Sequence, residues 1–180
     1  MKKQDQAGLT LIELMTVVAI IASLSLMAMP NLLTWLPDHR LKRAVRELHS
    51  NLQLAKLTAV KTNALCTLVF DQHVGGRKYD YVVFEDADND LEYDEGERTV
   101  EKVLWSDYKS VSEDSSKHEG AVTFPTNDEN KHVLAFRPNG LPIDNIGDLN
   151  SGKVHLVNTY GHKKSVVVSP AGNIRIESEY

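Results

Sequence analysis

The sequence predicts an α+β protein in which a long, bent N-terminal helix packs on a C-terminal domain of antiparallel β-sheet. Three observations predict this class. An apolar segment runs from Ala7 to Met29, an apolar stripe at helical spacing begins near Asp38, and short β-type runs separated by turn residues follow Asn63. The first half of the helix is expected to span a membrane, because about twenty apolar residues match the thickness of the hydrocarbon layer.

Composition and charge fit a small domain attached to this segment. The chain has 180 residues and a formal net charge of -5 at pH 7. Its length suits one domain beyond the anchor, and its charge gives no global basic field for nucleic acid. Cys66 is the only cysteine, so no disulfide can form within one chain, and we expect its thiol to be buried.

Glu13 is the most informative residue of the apolar segment. It is the one charged residue between Ala7 and Met29. A charged side chain at the centre of a membrane helix costs roughly 2.5 to 3.5 kcal/mol on insertion scales. A purely structural span would be more stable without it, so we expect Glu13 to have a function.

Within its first thirty residues the chain has a short Lys-bearing leader, then Gly8, Leu9 and the run Thr10 to Leu14 (TLIEL). These residues resemble the class III signal of type IV prepilins, with Leu9 where the family usually has Phe. The resemblance implies cleavage between Gly8 and Leu9 and methylation of Leu9 by the prepilin peptidase/methyltransferase. It also implies that Glu13, fifth in the mature chain, pairs with the N-terminal amine of a neighbouring subunit. The expected parts are a leader (1–8), a transmembrane helix (9–29), an amphipathic helix (30–63) and a β-rich globular domain (64–180).

Two other interpretations of the segment compete with this one. A secretory signal peptide has a charge-free apolar core and a small-residue cleavage site, but Glu13 interrupts the core, and Leu26 and Met29 spoil the best cut near Ala28. An ordinary transmembrane anchor is supported by the positive-inside rule, which would place the C-terminal domain in the cytoplasm. The basic residues after the span that outnumber Lys2 and Lys3 are Arg40, Lys42, Arg43 and Arg46. The prepilin motif is given precedence, because the family presents its domain outside the inner membrane.

The helix is expected to change character at its prolines. Pro30 should kink it, because proline removes a backbone hydrogen bond and crowds the preceding turn, and Asn31–Pro37 is the predicted bend. Trp35 suits the membrane interface. The predicted buried stripe after the bend consists of Leu41, Val45, Leu48, Leu52, Ala55 and Ala59. A helix stop is expected at Asn63.

The opposite helix face is basic. We expect it to be solvated, with contact to acidic neighbours or lipid headgroups as the alternative. Its residues are Arg40, Lys42, Arg43, Arg46, Lys56 and Lys61. Together the two halves resemble the long bent helix of the pilin fold.

Seven β-type runs are predicted beyond Asn63, with Val122–Phe124 as a further edge strand. The runs are Leu65–Phe70, Tyr79–Glu85, Thr99–Trp105, Val133–Phe136, Lys153–Val157, Ser165–Val168 and Ile174–Glu177. Hairpin turns are expected at Gly75-Gly76, Tyr160-Gly161-His162 and Ala171-Gly172-Asn173.

A second resemblance lies in the C-terminal region. Phe136–Gly140 (FRPNG), Gly152 and Val166–Ile176 (VVVSPAGNIRI) resemble the H-type minor pseudopilin of type II secretion and related minor pilins of the type IV pilus. The resemblance implies a non-catalytic filament subunit in the bacterial inner membrane, single-pass, with a periplasmic domain. Its implied partners are other pilins or pseudopilins, the prepilin peptidase/methyltransferase, the inner-membrane assembly platform and membrane lipid.

DNA uptake is the alternative function within the resemblance. Certain minor pilins with this C-terminal domain bind DNA through a Gly-Arg-x-Arg motif, whereas Gly172–Arg175 (GNIR) retains one of the two arginines. Lys163, Lys164 and Arg175 are candidates for phosphate contacts, which are independent of sequence and sensitive to salt. A strand-turn-strand explains the same residues, and nucleic acid is not the expected partner.

An acidic run forms the strongest site-like pattern outside the helix. Its residues Asp86, Asp88, Asp90, Asp94 and Glu97 have an EF-hand-like spacing, and calcium favours such oxygen ligands. Leu91 stands where the motif requires Gly, and the flanks read as strands where the motif has helices. We therefore favour a solvated acidic loop without metal, with calcium binding as the alternative.

Catalysis is not expected. The seven histidines (His39, His49, His73, His118, His132, His155 and His162) show no metal-site spacing, and Ser169 lacks a nucleophile-elbow sequence. No cofactor is expected either.

Overall fold

The computed structural model describes residues 10–179, apart from the side chains of residues 26–34 and 179. The chain divides into two compact units, Met1–Leu36 and Pro37–Tyr180. One α-helix, α1 (Leu11–Thr62), contributes to both units. It ends before Asn63, whose φ of +53° is the left-handed conformation that commonly follows the last residue of a helix. The bend expected at Asn31–Pro37 stays a prediction.

The described apolar side chains of α1 in the first unit are exposed. Leu11 is 79% exposed and Ile12 is 70% exposed, and the other large ones are Leu14, Met15, Val17, Val18, Ile20, Ile21, Leu24, Trp35 and Leu36. Over the described residues, no helix combines the length and the apolar character that a membrane crossing requires.

In the part of the second unit that the structure describes, nine strands form two antiparallel sheets. The strands are β1 (Leu65–Val74), β2 (Arg77–Asp86), β3 (Arg98–Val103), β4 (Val111–Glu113), β5 (Val133–Phe136), β6 (Pro142–Ile143), β7 (Gly152–Asn158), β8 (Lys163–Val168) and β9 (Ile174–Glu179). One sheet has the order β3-β2-β1-β5-β6, and the other has the order β4-β7-β8-β9. A single turn of 3-10 helix, Trp105–Asp107, lies between β3 and β4.

The apolar stripe of α1 lies at the centre of the main core. All six predicted stripe residues, Leu41, Val45, Leu48, Leu52, Ala55 and Ala59, are at most 1% exposed. They belong to one cluster with residues of both sheets, for example Leu68 of β1 and Val166 of β8. The five-stranded sheet also buries its other face, where Val69 and Phe84 pack with Leu91 of the following loop. The α+β class, with a long N-terminal helix and antiparallel sheet, is confirmed.

Several local expectations differ from the structure. Val122–Phe124 is not a strand, because Val122 makes only an isolated bridge to Val154. The run predicted to end at Trp105 ends at Val103, since the chain then turns through the 3-10 helix. The short strands β4 and β6 were not predicted, because two or three residues are too few to show an alternating pattern.

Candidate functional site

The predicted processing residues Gly8 and Leu9 lie outside the described residues, whereas Glu13 lies in the first turn of α1. Its side chain is exposed. The Glu13 amide donates to the carbonyl oxygen of Thr10 at 3.1 Å and to the Thr10 hydroxyl at 3.3 Å. This Thr-x-x-Glu pattern is typical of a helix start, where the positive end of the helix dipole favours a carboxylate. Glu13 is therefore placed at the N-terminal end of α1, one turn after the predicted cleavage point.

The hydroxyl groups of the apolar segment are satisfied by their own helix. Thr16 donates to the carbonyl of Ile12 at 2.7 Å, and Ser25 donates to the carbonyl of Ile21 at 2.8 Å. Such bonds let hydroxyls enter an apolar environment without an unpaired donor. In the segment Ala7 to Met29, Glu13 remains the one formal charge that an apolar environment would penalise.

The two segments that carry the pseudopilin resemblance meet in space around Lys56. The Lys56 ammonium donates to the carbonyl of Gly172, in the β8–β9 turn, at 2.8 Å. A Cβ on Gly172 would lie 2.5 Å from the carbonyl oxygen of Gly140, in the β5–β6 turn, and a Cβ on Gly140 would lie 2.9 Å from the Lys56 side chain. Both glycines have a positive φ, +74° and +77° respectively. Gly172 is therefore required by close approach to backbone as well as by its conformation, whereas Gly140 is required by its conformation, because the end of the Lys56 side chain can shift.

Lys56 is the residue of this contact that the sequence did not identify. The helical pattern placed it on the solvated basic face, but it is only half-exposed and joins α1 to both sheets. Nothing in the local sequence separates it from Lys61, which is exposed. A third glycine, Gly152, allows the ring of Phe124 to pack on its backbone, because a Cβ there would lie 2.5 Å from that ring.

The three cations considered for DNA contacts each have a partner in the domain. Lys163 forms an ion pair of 2.6 Å with Asp114, and Arg175 forms one of 2.8 Å with Glu177. Lys164 donates to the Ser178 hydroxyl at 2.5 Å. These contacts give the residues a structural task in the β7–β9 region, which supports the strand-turn-strand interpretation.

The acidic loop between β2 and β3 is held by its own carboxylates. Asp86 is buried and accepts hydrogen bonds from the amides of Asn89 (2.7 Å) and Leu91 (3.0 Å) and from the Thr67 hydroxyl (3.0 Å). Glu97 accepts from two loop amides at 2.8 and 3.0 Å. Burial raises the pKa of both carboxyls.

Leu91 adopts the conformation for which the calcium-binding motif uses Gly. Its φ is +63°, and it is 2% exposed within the second core cluster. Burial of the side chain and the hydrogen bond to Asp86 compensate for a backbone conformation that is unfavourable for leucine. The missing Gly therefore does not prevent the sharp turn, which corrects one argument against the motif.

The carboxylates of the loop lie close enough to be compared with a metal site. Two groups of three have ligand atoms within 4.8 Å of one another, namely Asp86/Asp88/Glu97 and Asp88/Asp90/Asp94. Calcium prefers such oxygen ligands. The amide hydrogen bonds explain the two ends of the loop without an ion, and titration calorimetry with calcium separates the two interpretations.

Cys66 lies in the main core, as its apolar neighbours in the sequence indicate. Its thiol is fully buried, and burial, together with the charges of Glu85 and Asp86, raises its pKa to about 12. The reactive thiolate is therefore suppressed at neutral pH.

Two family models match the chain. The model for a type II transport protein, GspH, matches residues 44–172, and the model for the prokaryotic N-terminal methylation motif matches residues 3–29. No curated protein and no solved structure matches. The N-terminal motif indicates anchoring in the inner membrane, although no helix of the described part meets the requirement for a span.

Together these matches support a minor pseudopilin or type IV pilin-like protein with a role in type II secretion or type IV pili. Proteins of these families assemble with other pilins and are processed by the prepilin peptidase, and the GspH family is structural rather than catalytic. Because the longer match covers most of the chain, this chain belongs to the family of the type II transport protein GspH.

Proposed function

We propose that this chain is a minor pseudopilin of a type II secretion pseudopilus, which it joins or primes for protein export. One observation carries the proposal: the methylation motif at residues 3–29 and the GspH match at residues 44–172 occur in the same chain. In the proposed maturation, the bond between Gly8 and Leu9 is cut and Leu9 is methylated. The subunit supplies contacts, and a separate assembly ATPase supplies force.

The proposed role of Glu13 follows from its place in the helix. Cleavage gives Leu9 a cationic amine one turn before Glu13, at an end of α1 whose described apolar side chains are exposed. Within packed apolar helices, a carboxylate and an amine from neighbouring subunits attract strongly, and removing one partner leaves the other charge unpaired. Such a pair favours a single register between adjacent subunits.

The proposed location is the bacterial inner membrane, crossed once, with the domain in the periplasm. Four described residues support an apolar surrounding for the segment after cleavage: the exposed Leu11 and Ile12, and the internally bonded Thr16 and Ser25. The proposed partners are other pilins or pseudopilins, the inner-membrane assembly platform and membrane lipid.

The variant Glu13→Ala tests the assembly role. We expect normal insertion and normal peptidase processing but a large loss of incorporation into filaments, because only the contact between subunits is removed. Sheared filaments quantified by immunoblot, beside membrane fractions, give the measurement. Ser23→Ala in the same segment is the matched control. Incorporation of Glu13→Ala at the level of the control would refute the role.

Cleavage is tested by mass spectrometry of protein recovered from the native membrane. We expect a chain that begins at Leu9 and carries one added methyl group. An intact Met1, or a chain that begins well past Ala28, would exclude prepilin processing.

A minor pilin of a type IV pilus that takes up DNA is the second candidate. It is favoured by the register of strands β8 and β9, which places Lys163 of β8 and Arg175 of β9 on the same face of the sheet. If it is correct, the full chain in detergent should retard DNA in a salt-sensitive manner, and Arg175→Ala should abolish the shift. Arg98→Ala is the matched control, because Arg98 also pairs with a glutamate, Glu85, at 2.7 Å. Absence of retardation favours the secretion pseudopilus.

A further inference from the structure

Charge is segregated along α1 within the second unit. The segment 85–97, which lies near the C-terminal end of the helix, contains eight acidic residues and no basic residue. The register of β1 on β2 places Leu65, just after α1, opposite Asp86 of this segment. Near the other end lie the basic residues Arg40, Lys42, Arg43, Lys163 and Lys164. The stretch Asp38–Thr62 between these ends is about 36 Å long at the helical rise per residue.

A pocket of about 480 Å³ lies at the basic end. Its walls come from α1, from the β7–β8 hairpin and from β9, and its residues are Asp38, Leu41, Lys42, Gly161, His162, Lys163, Lys164 and Ser178. Leu41, which is 1% exposed, provides an apolar wall. Among the described residues, three lysines and a histidine thus surround the pocket together with one carboxylate, that of Asp38.

That carboxylate, Asp38, binds the β7–β8 hairpin to α1. Its Oδ1 accepts a hydrogen bond from the Asn158 amide at 2.7 Å and lies 2.5 Å from Nδ1 of His162. The hydrogen bond to His162 is the main cause that holds the pKa of Asp38 below its usual range, and the charge of Lys42 adds to it. Asp38 therefore uses its hydrogen bonds within the protein and fixes the position of one pocket wall.

The charges of the three lysines are not equally compensated. Lys163 is paired with the buried carboxylate of Asp114 at 2.6 Å. Lys164 donates to the neutral Ser178 hydroxyl, and this hydrogen bond satisfies one donor but does not neutralise the positive charge of the lysine. Lys42 is exposed. Lys42 and Lys164 thus give the pocket a positive potential that an anion of suitable size would neutralise.

We propose that this pocket binds the phosphate group of an anionic phospholipid headgroup. The proposal rests on the proposed membrane anchoring. Asp38 follows Met29, the last residue of the apolar segment, by nine residues in the sequence. Basic pockets beside a membrane segment recognise anionic headgroups through charge and hydrogen bonds to phosphate. A headgroup ligand also gives a physical reason for the basic residues that follow the apolar segment.

Hydrogen exchange of the full chain in nanodiscs tests the proposal. Discs of phosphatidylcholine alone are compared with discs that also contain phosphatidylglycerol. We expect the amides of residues 161–165 to exchange several-fold more slowly in the anionic discs, and we expect salt to remove the difference.

The double variant Lys42→Gln/Lys164→Gln should lose this protection, and Lys42→Arg/Lys164→Arg should keep it. Arg98→Gln/Lys102→Gln, which removes two exposed cations from the edge strand β3, is the matched control and should also keep it. An unchanged melting temperature of the glutamine variant shows that its fold is intact. Retained protection in the folded glutamine variant would overturn the proposal.

The possible outcomes distinguish failure of the headgroup site from failure of the membrane anchoring on which it depends. Failure of the chain to enter either kind of disc overturns the anchoring and the headgroup site together. Entry into both discs with equal exchange overturns the headgroup site alone. The last comparison adds inorganic phosphate to the neutral discs. If it produces the same protection, and phosphatidylglycerol adds nothing, the ligand is free phosphate and the lipid assignment is wrong.

Discussion

The two parts of α1 place the same kind of side chain in opposite environments. Leu11 and Ile12, in the first unit, are 79% and 70% exposed, whereas Leu41 and Leu48, in the second, are 1% and 0% exposed. The first part is apolar all round, so a single sheet cannot cover it, whereas the second has one apolar stripe. The described residues therefore bury the second part within its own domain and leave the apolar side chains of the first part exposed.

Removal of the first part of α1 should have the largest effect, which is on solubility and oligomeric state. A chain that begins at Asp38 should fold as a soluble monomer without detergent, because its stripe is already buried by the two sheets. Gel filtration and circular dichroism of this fragment provide the measurement, with the full chain as the control. Precipitation of the fragment would mean that the second unit also needs cover from outside.

Replacing one leucine by alanine in each part of α1 should sharpen the contrast. Leu48→Ala should lower the free energy of unfolding by about 2 to 5 kcal/mol, because it leaves a cavity in a close-packed core. Leu14→Ala, at a side chain that is 58% exposed, should change it by less than about 0.5 kcal/mol. Guanidinium unfolding of the full chain in detergent measures both. Equal losses would show that the two parts form one cooperative core.

Replacing a glycine that packs near Lys56 should have a smaller effect, which is on the free energy of unfolding of the second unit. Gly172 and Gly161 both have a positive φ, but only Gly172 would bring a Cβ within 4 Å of another residue. Gly172→Ala should therefore lower the free energy of unfolding by about 1 to 3 kcal/mol more than Gly161→Ala, in which only backbone strain is added. Thermal unfolding of the two variants gives the difference. If the two losses are the same, the close approach to Gly140 contributes nothing to stability.

The smallest expected effect is a pH dependence of the free energy of unfolding of the second unit. Burial alone would raise the pKa of Asp114, but hydrogen bonds from Lys163 and Ser116, with the charge of Lys163, lower it to about 2 from 3.8. Since the folded value is depressed, the contribution is fully present above about pH 4 and is lost as the pH falls towards 2. It should amount to about 1 to 2 kcal/mol.

Denaturant unfolding of the wild type and Asp114→Asn at pH 7 and at pH 3 measures this contribution. The variant should be less stable at pH 7 and less sensitive to acid. Asp148→Asn, at an exposed position, is the control and should retain the acid sensitivity of the wild type. An identical pH response in all three proteins would rule out the Asp114–Lys163 pair as the cause.

Local patterns were the reliable part of the prediction. The spacing of three and four residues from Leu41 to Ala59 identified the buried stripe, because helical periodicity alone fixes which side chains share a face. The three glycine turns between strands were likewise recognisable, since positive φ favours Gly. Lys56 was not recognisable as a core-edge residue, because its partners lie more than eighty residues away in the sequence.

The sequence by itself determined the α+β class, the helix with its two kinds of surface, and the charged residue Glu13 within an apolar segment. These features depend on the order of residues along a few turns or strands. Only the tertiary structure decided that the strands form two sheets, that Asp38 meets His162 and that the Gly140 and Gly172 turns meet at Lys56. The physical reason is that such contacts depend on how distant segments pack, and no local periodicity encodes which of them become neighbours.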